Sequence, residues 1–330
     1  MSQDEAPLLE FDRVSVQYKG SSRRAVDEVS FVVRRGETVG LVGESGSGKT
    51  TIGSTAVGLA PIASGTIRFN GEDITHARPA RRRALSAQLQ VIFQDPYSSL
   101  NPLRTVAQTL VEPLLVHRSM SRRESDREVA LMLERVGLDT PAGSRYPSNF
   151  SGGQRQRIAI ARALMASPEL VICDEAVSAL DLSVQAQVLN LLLELQKDLH
   201  VSYLFISHDL SVVRHMCDRV VVLYGGRVME VGDAETIHDR PSHPYTQALL
   251  SASPIPNPAA QARQRERVQL ALAPAIPSAP TEACRFANRC PLATSVCEST
   301  PPPLVPGPTG SDVACHHADE AVRGLTAAAI

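Results

Sequence analysis

The 330-residue sequence has no uninterrupted apolar stretch of the ~20 residues that a membrane-spanning helix needs; the best candidate, Ile158 to Cys173, is broken by Arg162 and Glu169. The chain is therefore expected not to cross a bilayer. Its opening residues, MSQDEAPLLE, lack the basic and apolar regions of a signal peptide. A reducing cytoplasm is the expected compartment, and the six cysteines then need a role other than disulfides. An excess of positive charge is missing too. With 33 Lys and Arg against 35 Asp and Glu the net charge is -2, so nothing draws the whole chain to nucleic acid and any anion site must be local. Lysine itself is scarce: only Lys19, Lys49 and Lys197 occur, the other positive charges being arginine. No internal repeat is present, so the chain carries one copy of its main unit.

What is there reads as one large α/β domain with an appendage. Short alternating apolar runs from Leu8 to Tyr18 and from Val29 to Val42, the latter interrupted by RRGE, predict strands joined by a tight turn. Leu170 to Ile172 and Tyr203 to Ile206 have the character of buried strands, with a helix-compatible segment, Val184 to Leu199, between them. Such alternation favours a sheet with sites at strand ends. Between Asp95 and Phe150 the chain loses strand character and becomes helical and arginine-rich, as an insert would. After about Leu250 a Pro- and Ala-rich segment precedes a cysteine-bearing tail.

Gly43-Glu44-Ser45-Gly46-Ser47-Gly48-Lys49-Thr50 fits G-x-x-x-x-G-K-[ST], after the apolar run TVGLV and before TTIGSTAVGL, which can open a helix. Glycines let successive amides turn inward around phosphate oxygens, and a helix N-terminus adds partial positive charge. Lys49 would reach the β and γ phosphates, Thr50 would offer a hydroxyl to Mg2+, and Ser45, Gly46, Ser47, Gly48 and Thr51 would complete the cradle. A compact ammonium suits the inside of such a loop, where a wide planar guanidinium would bind in the wrong geometry. A glycine-rich turn with an incidental lysine is the alternative, and the flanking strand and helix argue against it. In LVICDE, Asp174 and Glu175 end an apolar run, a costly place for two acids unless a cation or a reacting water uses them. Asp174 suits Mg2+ and Glu175 the polarisation of an attacking water.

Phosphate loops serve many machines. FSGGQRQRIAIARAL, Phe150 to Leu164, resembles the signature segment of ABC-type ATPases, and the resemblance extends from about Leu8 to Tyr245. It implies a P-loop ABC-type nucleotide-binding domain over residues 1–250, with a helical subdomain at about 95–165 and a Cys-containing extension over 251–330. It also implies that Tyr18 stacks on adenine, that Gln94 in VIFQDPYSSLNP serves Mg2+ and catalysis, that Ser178 to Asp181 (SALD) form the D-loop, and that His208 in ISHD is the switch histidine. Taken singly, Tyr18 could be an ordinary strand aromatic and His208 a satisfied histidine. Phe150 and Ala176 depart from the commoner leucine and proline without removing a functional group. In this family two domains sandwich two ATP molecules, so Ser151, Gly152, Gly153 and Gln154 are expected to act on a partner's nucleotide.

FQDPYSSLNP and HPYTQALLSASPIP, His243 to Pro256, look closest to the ATP-binding subunits of oligopeptide and dipeptide ABC importers. That resemblance implies a peripheral subunit on the cytoplasmic face of the inner membrane, a second ATPase subunit as a heterodimer partner, two separate permease subunits, and an extracytoplasmic peptide-binding protein. Nickel and glutathione importers have similar ATPases; a soluble ABC ATPase acting on ribosomes or DNA is the competing class. The arginine cluster Arg78 to Arg83 reads as a solvated face rather than a nucleic-acid site. Cys173 and Cys217 read as buried apolar residues. Cys284, Cys290, Cys297 and Cys315 could surround one metal centre, and lack the close pairs usual for zinc. Similar tails in peptide-importer ATPases make a four-iron, four-sulfur cluster the preferred reading, with zinc, free thiols or an oxidised pair as alternatives.

Overall fold

Apolar side chains at Leu9, Phe11, Val14 and Val16 are buried along β1 (Leu9–Val16), while β3 (Thr38–Val42) is buried at every position, and this contrast separates two sheets. The computed structural model describes residues 6–95, 99–117, 120–252 and 283–327. The Pro- and Ala-rich segment lies outside the described residues. The elements follow as β1, β2 (Val26–Val33), β3, α1 (Lys49–Ala56), β4 (Ser64–Phe69), β5 (Glu72–Asp73), α2 (Pro79–Leu85) and β6 (Leu89–Ile92). A helical stretch comes next, with α3 (Val106–His117), α4 (Arg122–Arg135) and α5 (Gly152–Leu164). The chain then alternates through β7 (Leu170–Asp174), α6 (Leu182–Leu199), β8 (Ser202–Ser207), α7 (Leu210–Met216), β9 (Arg219–Tyr224), β10 (Arg227–Asp233), α8 (Ala234–Asp239) and α9 (Pro244–Ala252). The C-terminal part holds α10 (Ser295–Ser299), β11 (Val305–Pro306), β12 (Asp312–Val313) and α11 (Ala318–Ala327).

β2-β1-β4-β5 form an antiparallel sheet, and β11-β12-β10-β9-β3-β8-β7-β6 form the main sheet, parallel from β9 to β6. The RRGE turn is present between β2 and β3, but these strands do not pair with each other; the turn carries the chain from one sheet to the other. Periodicity reports a strand and its turn, not which sheet each strand joins. The segment between Asp95 and Phe150 carries α3, α4 and two 3-10 turns, with no strand among its described residues.

The C-terminal residues add to the main sheet rather than forming a sheet of their own: β12 pairs antiparallel with β10. Behind this junction Glu230, wholly buried on β10, accepts from Ser242 N at 2.7 Å, His243 N at 3.1 Å and Ser311 Oγ at 2.7 Å. Burial pushes its carboxyl above the usual range, and these donors oppose that shift. One buried acid thus joins the core strand, the residues opening α9 and the tail. Tyr224, Tyr245 and Phe286 pack beside it with ring centroids 4.6 to 5.4 Å apart.

Candidate nucleotide site

The buried strand β3 ends at Val42, and residues 43–48 turn directly into α1. A side chain at Gly43 would place its Cβ 2.2 Å from the Leu223 carbonyl oxygen, and one at Gly48 (φ +106°) 2.6 Å from that of Ala25. Gly48 also begins α1 with no side-chain cap, so the first amides of the helix have no partner from its own capping residue. Lys49 is 5 % exposed and donates from Nζ to the carbonyls of Gly43 at 2.7 Å and Glu44 at 2.9 Å. Burial lowers its pKa against the opposing pull of Glu175, Asp174 and Glu44. An ammonium held over two loop carbonyls, at the uncapped start of a helix, is chemistry for a polyanion.

β7 lies two strands away, across β8, and brings the acids to the same edge. Thr50 Oγ1 donates to Asp174 Oδ1 at 3.0 Å, joining the loop helix to the end of β7. Burial raises the Asp174 carboxyl, which Thr50 and Lys49 counteract. Glu175 follows with φ +47°, a left-handed backbone that a non-glycine residue adopts at some cost. Its carboxylate receives Gln94 Nε2 at 2.9 Å and lies 3.5 Å from His208 Nδ1. Ser178 Oγ donates to the Glu175 carbonyl at 3.0 Å and lies 3.4 Å from Gln94 Nε2. Glu175, Gln94, His208 and Ser178 therefore form one cluster, and Lys49, Thr50 and Asp174 a second that adjoins it through the Asp174-Glu175 peptide.

Tyr18 is 44 % exposed, with its hydroxyl 3.3 Å from Thr51 Oγ1, which places an open aromatic face at the loop's flank. Ser45, Gly46 and Ser47 lie on the loop between Glu44 and Gly48, and Gly46 (φ +78°) has open space where a Cβ would be. The segment Ser151 to Gln154 is elsewhere: among the described residues no hydrogen bond or ion pair joins it to the loop. Ser151 caps α5, its Oγ accepting from Gln154 N while Gln154 Oε1 accepts from Ser151 N at 3.0 Å. Gly152 opens that helix, and a Cβ on Gly153 would lie 2.4 Å from Val184 Cγ1, so this glycine also lets α5 meet α6. Asp181 caps α6 by accepting from Val184 N at 3.0 Å.

The reading of residue types overlooked Glu44, Tyr245, Arg289 and Asp27. The Glu44 amide donates to Tyr245 Oη at 2.9 Å, and Arg289 Nη1 donates to the Glu44 carboxylate at 2.9 Å. Asp27 is buried and accepts from Arg24, Arg227 and Arg285. Burial would raise its carboxyl, but the three guanidinium groups hold it at about 2. No local pattern signals these pairs, because most of the partners lie about 200 residues or more apart. In the arginine cluster, Arg81 pairs with Glu72 and Arg82 donates to the Ala56 carbonyl at 2.6 Å, so both are engaged within the protein.

The four tail cysteines are free, Cys284 and Cys297 buried and Cys290 and Cys315 half-buried. Burial pushes the Cys290 thiol up to about 11 and that of Cys315 up to about 12, and the neighbouring thiols add to the effect. Cys284 N donates to the Cys297 carbonyl at 2.9 Å. Among the described residues, however, no three His, Cys, Asp or Glu side chains converge to hold a metal ion. The four-thiolate centre expected from the sequence is thus not assembled among the described side chains.

The chain matches the ABC transporter family over residues 26–178 and the oligopeptide/dipeptide transporter C-terminal region over residues 229–297. It is 47 % identical over 308 residues to a protein of Sinorhizobium fredii named probable peptide ABC transporter ATP-binding protein y4tS, covering 93 % of this chain and 84 % of the relative. It is 46 % identical to the oligopeptide transport ATP-binding protein AppF of Bacillus subtilis, covering 91 % of each. Among solved structures it resembles cbiO1 of Clostridium perfringens, described as part of the ABC transporter complex cbiONQ, with a TM-score of 0.65 and 27 % identity over 71 % of this chain and 91 % of that one. It also resembles a dimeric ATP-binding cassette, MJ0796, in a post-hydrolysis state bound to ADP and Pi (TM-score 0.63, 26 % identity, covering 68 % and 98 %).

Proposed function

We propose, for a chain that belongs to the ABC transporter family and is one of its ATP-hydrolysing subunits, that hydrolysis powers the uptake of oligopeptides or dipeptides through a separate membrane permease. The observation that carries the reading is the convergence of Gln94 and His208 on Glu175, next to an Asp174 already bonded to Thr50 beside the buried Lys49. The peptide class rests on the match over residues 229–297 and on the names of the relatives.

In this reading adenine stacks on Tyr18 while residues 43–51 wrap the phosphates and Lys49 moves from two loop carbonyls to phosphate oxygens. The oxygen donors of Thr50, Asp174 and Gln94 suit a small hard cation, and Mg2+ bound there would neutralise charge on the phosphates. Glu175 draws a proton from the attacking water, with His208 and Gln94 orienting its carboxylate. Ser151, Gly152, Gly153 and Gln154 complete the site of a second ATPase subunit, with Ser178 and Asp181 at the junction. That subunit is a related chain, so the working unit is a heterodimer. Donors that surround the γ phosphate only on closure couple hydrolysis to motion. Two permease subunits, fed from outside by a peptide-binding protein, receive that motion at the cytoplasmic face of the membrane. Among the described residues no helix is long and apolar enough to span a bilayer, in keeping with a peripheral subunit. The tail thiols take no part in this cycle.

Gentle solubilisation of native membranes and capture of the tagged chain tests the transport reading. Recovery of two polytopic permeases, with ATPase activity raised by peptide-loaded binding protein, is the expected result. Recovery of ribosomal or DNA-associated proteins without a permease would overturn it.

A further inference from the structure

The base of the phosphate loop is held from outside the loop. All three polar groups of Glu44 are engaged: its amide donates to Tyr245 Oη at 2.9 Å, and its carboxylate accepts from Arg289 Nη1 at 2.9 Å. Its carbonyl accepts from Ser47 N at 3.1 Å and from Lys49 Nζ at 2.9 Å. One residue therefore links the C-terminal segments, through its amide and side chain, to the groups that meet phosphate, through its carbonyl.

Arg289 is built into its place. Its side chain is 10 % exposed, its guanidinium carbon lies 5.6 Å from the Tyr224 ring centroid and 5.7 Å from that of Phe286, and Nη1 also lies 3.3 Å from Tyr224 Oη. Four residues earlier Arg285 donates to the buried Asp27 carboxylate at 2.8 Å. The Asp27 amide donates to the Gly226 carbonyl at 2.8 Å, and Gly226 N donates to the Ser47 carbonyl at 3.0 Å, so a second path reaches the same loop. Both arginines lie in the interval between Cys284 and Cys290.

We propose that Arg289 is a positioning residue for nucleotide binding: by holding Glu44 it fixes the backbone of the phosphate loop, which the Glu44 carbonyl ties to the Ser47 amide, and keeps the Lys49 ammonium poised beside that loop until phosphate draws it away. The proposal rests on the reading of residues 43–51 as the ATP site. A loop ordered by its own fold binds without the entropic cost of ordering on arrival, and a charge-assisted hydrogen bond is strong enough to supply that order.

Charge alone makes the opposite prediction for one variant, which supplies the test. Removing the Glu44 carboxylate takes a negative charge away from the phosphates and, by electrostatics alone, tightens ATP. If Glu44 acts through Arg289, the same change loosens the loop and weakens ATP. We expect Glu44→Ala and Arg289→Met each to raise the MgATP dissociation constant of the full chain about tenfold in a calorimetric titration, and the double variant to go no further. Glu44 is a 41 % exposed loop side chain, so Glu44→Ala keeps the fold even where Arg289→Met does not. Unchanged or tighter MgATP binding by Glu44→Ala overturns the positioning role. Lys49→Ala in the same titration separates the two levels. Binding lost there but kept in Glu44→Ala removes only this proposal, while equal binding by wild type and Lys49→Ala removes the ATP site and the proposal with it.

Discussion

Two helices of this chain begin at glycine-rich segments, and their first turns are satisfied in opposite ways. α1 starts at a left-handed Gly48 with no side-chain cap, and its first residue, Lys49, rests its ammonium on two loop carbonyls. α5 starts at Ser151 with a full capping box, so Gln154 N and Ser151 N are already paired. A missing cap leaves donors unpaired, and the surrounding fold must tolerate that until an anion arrives. A capped start is stable in water on its own. The difference suits the two roles proposed for these segments as halves of a site: an uncapped loop that receives phosphate, and a capped start that is satisfied before any partner's nucleotide reaches it.

The largest effect should come where both halves converge. Glu175→Gln is expected to reduce steady-state hydrolysis by about 10²–10⁴-fold while ATP affinity stays within about twofold, because the amide cannot take a proton from water. Size-exclusion chromatography with ATP should then show a trapped dimer; retained turnover would remove Glu175 from the chemistry. Lys49→Ala acts on the first half alone and should weaken ATP binding about a hundredfold. Without nucleotide it should cost no stability. Burial lowers the Lys49 pKa below its ordinary 10.5, so the folded chain holds this proton less tightly than the unfolded one. That penalty is fully present below the folded pKa and fades as pH rises toward the unfolded value. Melting curves with and without ATP check both parts: the ATP-induced shift should vanish and the apo midpoint should hold.

The uncapped half was legible in the sequence, because its chemistry is local. Gly43 to Thr50 sit together between a strand and a helix, and Asp174-Glu175 end a visible apolar run. The functional pairing of Gln94 and His208 around Glu175 came only with the family resemblance, since these residues are far apart in the chain. The clamp on Glu44 was not legible at all. Tyr245 stands out only as a member of the HPYTQALLSASPIP segment and Arg289 as one of many arginines, and only the fold sets them 2.9 Å from the same residue. The sheet change at RRGE was hidden for a similar reason: a tight turn looks the same whether its strands pair or part.

The smaller effects sharpen the capped half. Gly153→Ala puts a Cβ 2.4 Å from Val184 Cγ1, overpacking the contact between α5 and α6, and should destabilise the chain by about 1–3 kcal/mol in chemical denaturation. Its signature would be a lowered midpoint with ATP binding by the single chain unchanged. Ser151→Ala removes the cap and should cost about 1 kcal/mol, again without weakening ATP binding to the single chain.

The cap and the proposed contact with a partner's nucleotide use different parts of the Ser151 hydroxyl, and this allows them to be separated. Capping uses the oxygen as an acceptor; holding a γ phosphate needs its proton as a donor. Ser151→Asp retains the acceptor, and aspartate caps helices about as well as serine, so stability should stay within about 0.5 kcal/mol of the native chain. The variant has no proton to offer and brings a negative charge to a phosphate, so hydrolysis in the assembled transporter should fall well below that of Ser151→Thr, which keeps both functions. If Ser151→Asp hydrolyses ATP as fast as Ser151→Thr, residue 151 is a helix cap and nothing more, and the second half of the site must be built from other donors.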